Sequence, residues 1–314
     1  MTQNTYNILS LDGGGLRGLI TAVLLDRLEY TRPGFLGSLD LIVGTSTGGI
    51  LALALAKGLP PYAIMKMYMN NGGVIFNRSV WRKMGGALGL TRAKYDNDGL
   101  RSVLTDVFGN GKLAELTKKV AVTAFRLDNG SKDQRTWSPK VFHNFPGTDS
   151  DGDERALDVA LYTSAAPTYF PSVGGYVDGG VFANNPSLVG LAQALDARHP
   201  GGPIDKIRLL SVGTGENLSH LEGDRLDWGI AEWAAPLLNI LFDGVSEVAD
   251  FQCRQILRDN YHRLQLSFPP GTSIPMDSVD DLGNMLCKAQ AVPIVDTVRW
   301  LADCGWCGDT TKTA

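Results

Sequence analysis

Gly44-Thr45-Ser46-Thr47-Gly48 sets a serine between two glycines where one apolar run gives way to another. The run before it, Leu39 to Val43, reads as a short buried strand, and Gly48 to Ala56 reads as a buried helix opened by small residues. A serine on such a strand-to-helix turn is held in the open beside unpaired N–H groups of the new helix, and only small neighbours fit around it. Its chemistry would be nucleophilic attack on a carbonyl. The pattern is short and recurs by chance, so its weight depends on what else the chain supplies.

A second glycine turn, Asp12-Gly13-Gly14-Gly15-Leu16-Arg17-Gly18, follows the strand-like Tyr6 to Leu11 and opens the helical Leu19 to Leu28. Gly13, Gly15 and Gly18 have the dinucleotide-binding spacing, which calls for an acidic residue closing the second strand. Asp40 begins that strand, and the serine turn ends it, which weighs against a nicotinamide site. The same turn can instead aim successive N–H groups at a developing oxyanion, with Arg17 adding positive charge. Consecutive strands tend to be neighbours, so both turns would face one crevice at the carboxyl edge of a sheet; the plain alternative is two linkers.

A serine nucleophile needs a base. His143 lies in a strand pattern, His199 ends a helix before Pro200, His262 starts a strand-like run, and His220 follows the strand ending at Val212, the best placed of the four. Asp178 is better placed still, in Val177-Asp178-Gly179-Gly180, a strand end whose glycines let other backbone approach. Burial in a dry crevice would make that carboxylate basic enough to serve; otherwise it belongs to an ordinary Asp-Gly turn.

The elements that must hold these groups alternate. Strands at Val120 to Phe125, Lys140 to Phe145 and Lys206 to Val212 join the first two, and helices are expected from Gly99 to Phe108, from Ala156 to Ser164, and from an Asn185 cap to about His199. The fold class is therefore α/β, three-layer α/β/α, with a largely parallel sheet covered by helices on both faces. Asp149 to Glu154 lacks the glycine and glutamate positions of a calcium loop and reads as exposed.

At 314 residues, 44% hydrophobic and 20% charged, the chain is expected to form a single catalytic unit over 1–314, with no apolar run long enough to span a bilayer. Its first residues show no secretory signal, and a cytoplasmic location is the default. The net charge of -4 and scattered Lys and Arg exclude a nucleic-acid polymer as partner. Cys304 and Cys307 form one close pair, too few ligands for structural zinc.

The two glycine turns and Asp178-Gly179-Gly180, with Thr163 to Pro171 and Ala183-Asn184-Asn185-Pro186, resemble the patatin-like phospholipases in order and approximate spacing. The likeness covers residues 6–215, leaving 216–314 as a helical and strand portion without an assigned role. It implies a fold related to α/β-hydrolases and acyltransferases, and a lipid acyl hydrolase with Ser46 as nucleophile and Asp178 as base. Gly13, Gly14 and Gly15 would bind the oxyanion with Arg17 assisting, and no metal or cofactor is implied. The substrate would be a membrane phospholipid met by peripheral contact. Tyr62 to Met69 and Leu237 to Phe242 could line the acyl route, though core packing would use them equally well. Alternatives are a soluble esterase or thioesterase, and an antiphage effector activated by a cyclic dinucleotide; a homo-oligomer is compatible with each.

Overall fold

The computed structural model describes residues 5–77, 92–198, 201–218, 220, 221, 223 and 227–306. Strand β1, Tyr6–Leu11, is buried along its whole length and sits inside the sheet, with mainly apolar side chains and the buried Asn7 and Ser10 on its two faces. It pairs in parallel with β2, Leu41–Thr45, and β6, Ile207–Val212. Beyond β2 lies β3, Lys119–Arg126, and beyond β6 lies β7, Tyr261–Leu264, both parallel to their neighbours. The remaining strands, β4 at Ser138–His143 and β5 at Tyr176–Asp178, pair antiparallel with β3.

Side-chain alternation splits the core in two. Ile8, Leu41, Val43, Ala121 and Leu209 point to one face, while Leu9, Ile42, Val120, Val122 and Leu210 point to the other. The second face is covered by α1, Gly18–Thr31; α2, Thr47–Ala56; α3, Pro61–Ile75; α4, Asp98–Phe108; and α5, Ala156–Thr163. A four-residue helix α6, Gly180–Ala183, follows β5. The first face is covered by α7, Ser187–Leu195, and by the end of the long α8, Ile230–Leu257, through Leu191, Ala194, Cys253 and Leu257. The result is three layers, α/β/α, as the alternation of elements predicts.

Local pattern explains the helices. α2 is apolar on every side and is buried throughout, whereas α4 buries only Leu100, Val103, Leu104 and Phe108, one stripe of a helix. The helix expected to reach His199 ends at Leu195, because Asp196 turns the chain by accepting the Arg198 N–H and guanidinium; His199 itself lies outside the described residues, as does Cys307. Asn185 does mark the start, its Oδ1 accepting the Ser187 N–H at 3.1 Å and hydroxyl at 2.6 Å. The segment expected to be an exposed loop is half-buried from Asp149 to Gly152 and anchored there: Asp151 accepts the Lys140 ammonium at 2.5 Å and the His143 N–H at 3.0 Å.

The C-terminal third adds β7 to the sheet, then α9, Leu282–Ala291, and α10, Val295–Asp303. Arg27 of α1 ties α9 down by donating to the carbonyls of Ala289 and Val292 at 2.7 and 2.8 Å. No helix among the described residues is long and apolar enough to cross a membrane.

Candidate active site

Strand register brings Ser46 and Asp178 together. β2 ends at Thr45, which pairs with Thr123 of β3, and β5 arrives from the opposite direction along the same edge, ending with Asp178 opposite Ala124. The two strand ends therefore meet head to head. Thr45 is fixed there, its hydroxyl 2.7 Å from that of Thr123 and donating to the Ala183 carbonyl at 2.6 Å.

Ser46 occupies φ 54°, ψ −124°, a conformation that strains a residue with a side chain. The strain is held from several sides. Its N–H donates to Thr163 Oγ1 at 2.7 Å, and its carbonyl accepts from Ile50 in the first turn of α2. A Cβ on Gly44 would stand 2.2 Å from the Gly48 carbonyl oxygen, and one on Gly48 would stand 2.1 Å from that of Leu11, so neither position admits a side chain. The turn thus packs directly against the end of β1.

Asp178 is buried and lines the same pocket as Ser46. Burial raises its pKa to about 7, although the Ser46 hydroxyl and the Gly180 N–H, 2.7 Å from Oδ1, act in the opposite direction. Its own N–H donates to the Ala165 carbonyl at 3.0 Å, which fixes the end of β5. A carboxylate poised near neutrality beside a hydroxyl can take a proton from it.

The first glycine turn stands beside this pair. Three N–H donors were expected from it, but Gly13 donates to the Asn184 carbonyl at 3.0 Å and is thereby used. Gly14 and Gly15 donate to no protein acceptor among the described residues, and both line the pocket that holds Ser46 and Asp178. Gly15, at φ +59°, lies against the Met276 carbonyl, which accepts the Leu16 N–H at 2.7 Å. Arg17 does not line that pocket; its side chain forms part of the wall of an adjoining polar cleft.

Behind the turn, Asp12 makes a bidentate ion pair with Arg263 of β7 at 2.9 and 2.6 Å, and Arg263 also reaches Ser211. Both partners are nearly inaccessible, at 3% and 9% exposure, so this pair fixes the end of β1 from across the sheet. Of the residues around the site, Arg263 and Met276 carry no local signal in the sequence, Thr163 lies in a segment that resembles the family without a role of its own, and Phe242 enters only as the end of the apolar run from Leu237.

The pocket at Ser46 is otherwise apolar. Met67 and Tyr68 of α3, Leu100 and Leu104 of α4, Phe170 and Phe242 enclose about 50 Å³ of free space. Of the two runs considered for an acyl route, Tyr62 to Met69 contributes Met67 and Tyr68 and buries Ile64, while Leu237 to Phe242 contributes Phe242 and leaves Leu237, Ile240 and Leu241 exposed. His220 lies on the wall of the adjoining cleft, and His143 is buried against Phe145. Asp40 accepts the Asn7 N–H at the opposite end of β2 from the glycine turns, where no ribose bound at those turns could reach it. No cluster of three metal-ligating side chains occurs among the described residues.

A family model described as "Patatin-like phospholipase" matches residues 9–189, a span that contains both glycine turns and Asp178. The chain is 35% identical over 284 residues to a "cGAMP-activated phospholipase" of Pseudomonas aeruginosa, covering 88% of this chain and 83% of the relative. It is 30% identical over 300 residues to "Protein teg" of Priestia megaterium, covering 84% and 88%. "Patatin-like protein 4" of Arabidopsis thaliana is 28% identical over 346 residues, covering 94% and 84%.

Proposed function

The chain belongs to the patatin-like phospholipase family, and from that premise we propose that it is a lipid acyl hydrolase working through a Ser46 and Asp178 dyad. The observation that carries the assignment of roles is the placement in one pocket of a strained serine and a buried carboxylate whose pKa is raised to about 7. Ser46 Oγ attacks the ester carbonyl carbon as its proton passes to Asp178, and the N–H groups of Gly14 and Gly15 hold the oxyanion. The tetrahedral species collapses, the ester oxygen leaves with the proton from Asp178, and an acyl group remains on Ser46. Water then gives a proton to Asp178 and attacks the acyl carbon, after which the fatty acid departs and the proton returns to Ser46.

The apolar pocket receives the start of the acyl chain. Residues 1–314 act as one unit in this reading, supported by β7 extending the same sheet and by Met276 and Phe242 closing the site from the C-terminal third. Peripheral contact with a bilayer is supported by the exposed Leu237, Ile240 and Leu241 beside Phe242. The test is fatty-acid release from phosphatidylethanolamine vesicles. Ser46→Ala abolishes release while keeping the same circular dichroism, and undiminished release from the purified variant would refute the proposal.

A second reading has one observation in its favour. Ligand pockets are usually several hundred cubic ångströms, and the 50 Å³ at Ser46 cannot admit a long chain without movement of Met67 or Met276. A ligand that opens the pocket would fit this, and one relative is named as activated by cGAMP. Release measured with and without 3′,3′-cGAMP separates a gated enzyme from a constitutive one.

A further inference from the structure

Next to the apolar pocket lies a larger polar cleft of about 390 Å³, and the two share Tyr169, Asn184, Phe242 and Met276 as walls. A molecule with its acyl ester at Ser46 therefore has a place for whatever lies beyond the ester. The inner wall of the cleft carries Arg17, which is only 9% exposed and whose buried Nε meets no hydrogen-bond partner. A buried guanidinium N–H without an acceptor among the described residues is costly, and an anion in the cleft would offset that cost. The outer wall carries Asp243, on the exposed side of α8. The two charges share the cleft without forming an ion pair among the described residues, yet each lies within the field of the other. Glu216, whose charge Asp243 also feels, is already hydrogen bonded to Ser267.

We propose that this cleft reads a zwitterionic phospholipid head group, with the phosphodiester against Arg17 and the ammonium at Asp243. The inference rests on the phospholipase reading and specifies its substrate class. The order of charges matches that of an aminophospholipid, in which the phosphate is nearer the glycerol esters and the amine is further out. An anionic head group without an amine would meet Arg17 favourably and Asp243 unfavourably. A cyclic dinucleotide, with two phosphodiester charges and no ammonium, is disfavoured in the same way.

The experiment uses the full chain and dioleoyl phosphatidylethanolamine or dioleoyl phosphatidylglycerol, each at the same mole fraction in nonionic-detergent micelles. Only the ratio of the two kcat/KM values is read, so the fraction of active protein cancels. The wild type favours phosphatidylethanolamine, and Asp243→Asn lowers that ratio about fivefold, the size expected for a partly exposed charge pair. A wild-type ratio near one, or a ratio unchanged in Asp243→Asn, would overturn the inference. So would inhibition of phosphatidylethanolamine cleavage by 3′,3′-cGAMP that is lost in Arg17→Met, which would give the cleft to a nucleotide. Ser46→Ala assayed in parallel distinguishes the two levels: release that persists there defeats the phospholipase reading itself, whatever the ratio.

Discussion

At the scale of residues, the proposed dyad depends on placing a carboxylate where water cannot reach it. Asp178 is 1% exposed, and its pKa of about 7, against an ordinary 3.8, makes it a far stronger base than a surface aspartate. Two consequences follow from one titration. The rate constant kcat/KM on a soluble ester rises with pH through about 7 as Asp178 loses its proton, and this limb disappears in Asp178→Asn. Stability moves the other way: the raised pKa favours the native state below about 4, and that contribution is lost as pH rises through about 7. Asp178→Asn is therefore inactive and, at pH 8, more stable than the wild type by on the order of 4 kcal/mol, a gain that vanishes near pH 4. Urea melts at the two pH values check it.

At the scale of elements, each strand end is fixed by something that is remote in sequence. The buried Asp12 and Arg263 pair locks the turn after β1 to β7. Arg263→Met leaves the Asp12 carboxylate buried and unpaired, which costs about 3 kcal/mol, and the loosened glycine turn lowers kcat about tenfold or more. Denaturant melts and initial rates of the variant measure both. Ser46 and the glycine turns were legible because a nucleophile elbow and an N–H cradle need particular small residues at fixed spacing within a few positions. Asp178 was a candidate because glycines follow a strand end, with an ordinary Asp-Gly turn as the alternative, and the family resemblance is what named it as the base. Arg263 and Met276 were not legible, since sheet order and loop packing bring them to the site and no local pattern marks them, whereas Phe242 was within reach as part of an apolar run that core packing would use equally well. The same holds for Gly13: the sequence offers its N–H as a donor, and only the fold reveals the Asn184 carbonyl that takes it. Likewise the sequence places Arg17 in the glycine turn, and the fold turns its side chain into the neighbouring cleft.

At the scale of the whole molecule, the carboxyl edge of one largely parallel sheet gathers Ser46, Asp178 and the glycine turns at one pocket, while α8 runs from that pocket to the surface. Phe242 touches the pocket, and Leu237, Ile240 and Leu241 on neighbouring positions face outward with 43–48% of their surface exposed. A bilayer docked there would deliver lipid directly to Ser46. Leu241→Asp lowers the ratio of vesicle hydrolysis to hydrolysis of a soluble butyrate ester about tenfold, because a charge replaces apolar surface at the contact; parallel assays on one preparation give the ratio. The central claim remains that Ser46, activated by Asp178, is the group that becomes covalently acylated. Labelling with an alkyl fluorophosphonate, followed by peptide mass mapping, tests it most directly. The account predicts one adduct, on Ser46, absent from Ser46→Ala and formed far more slowly in Asp178→Asn. An adduct on a different serine, or undiminished labelling of Ser46→Ala, would contradict it.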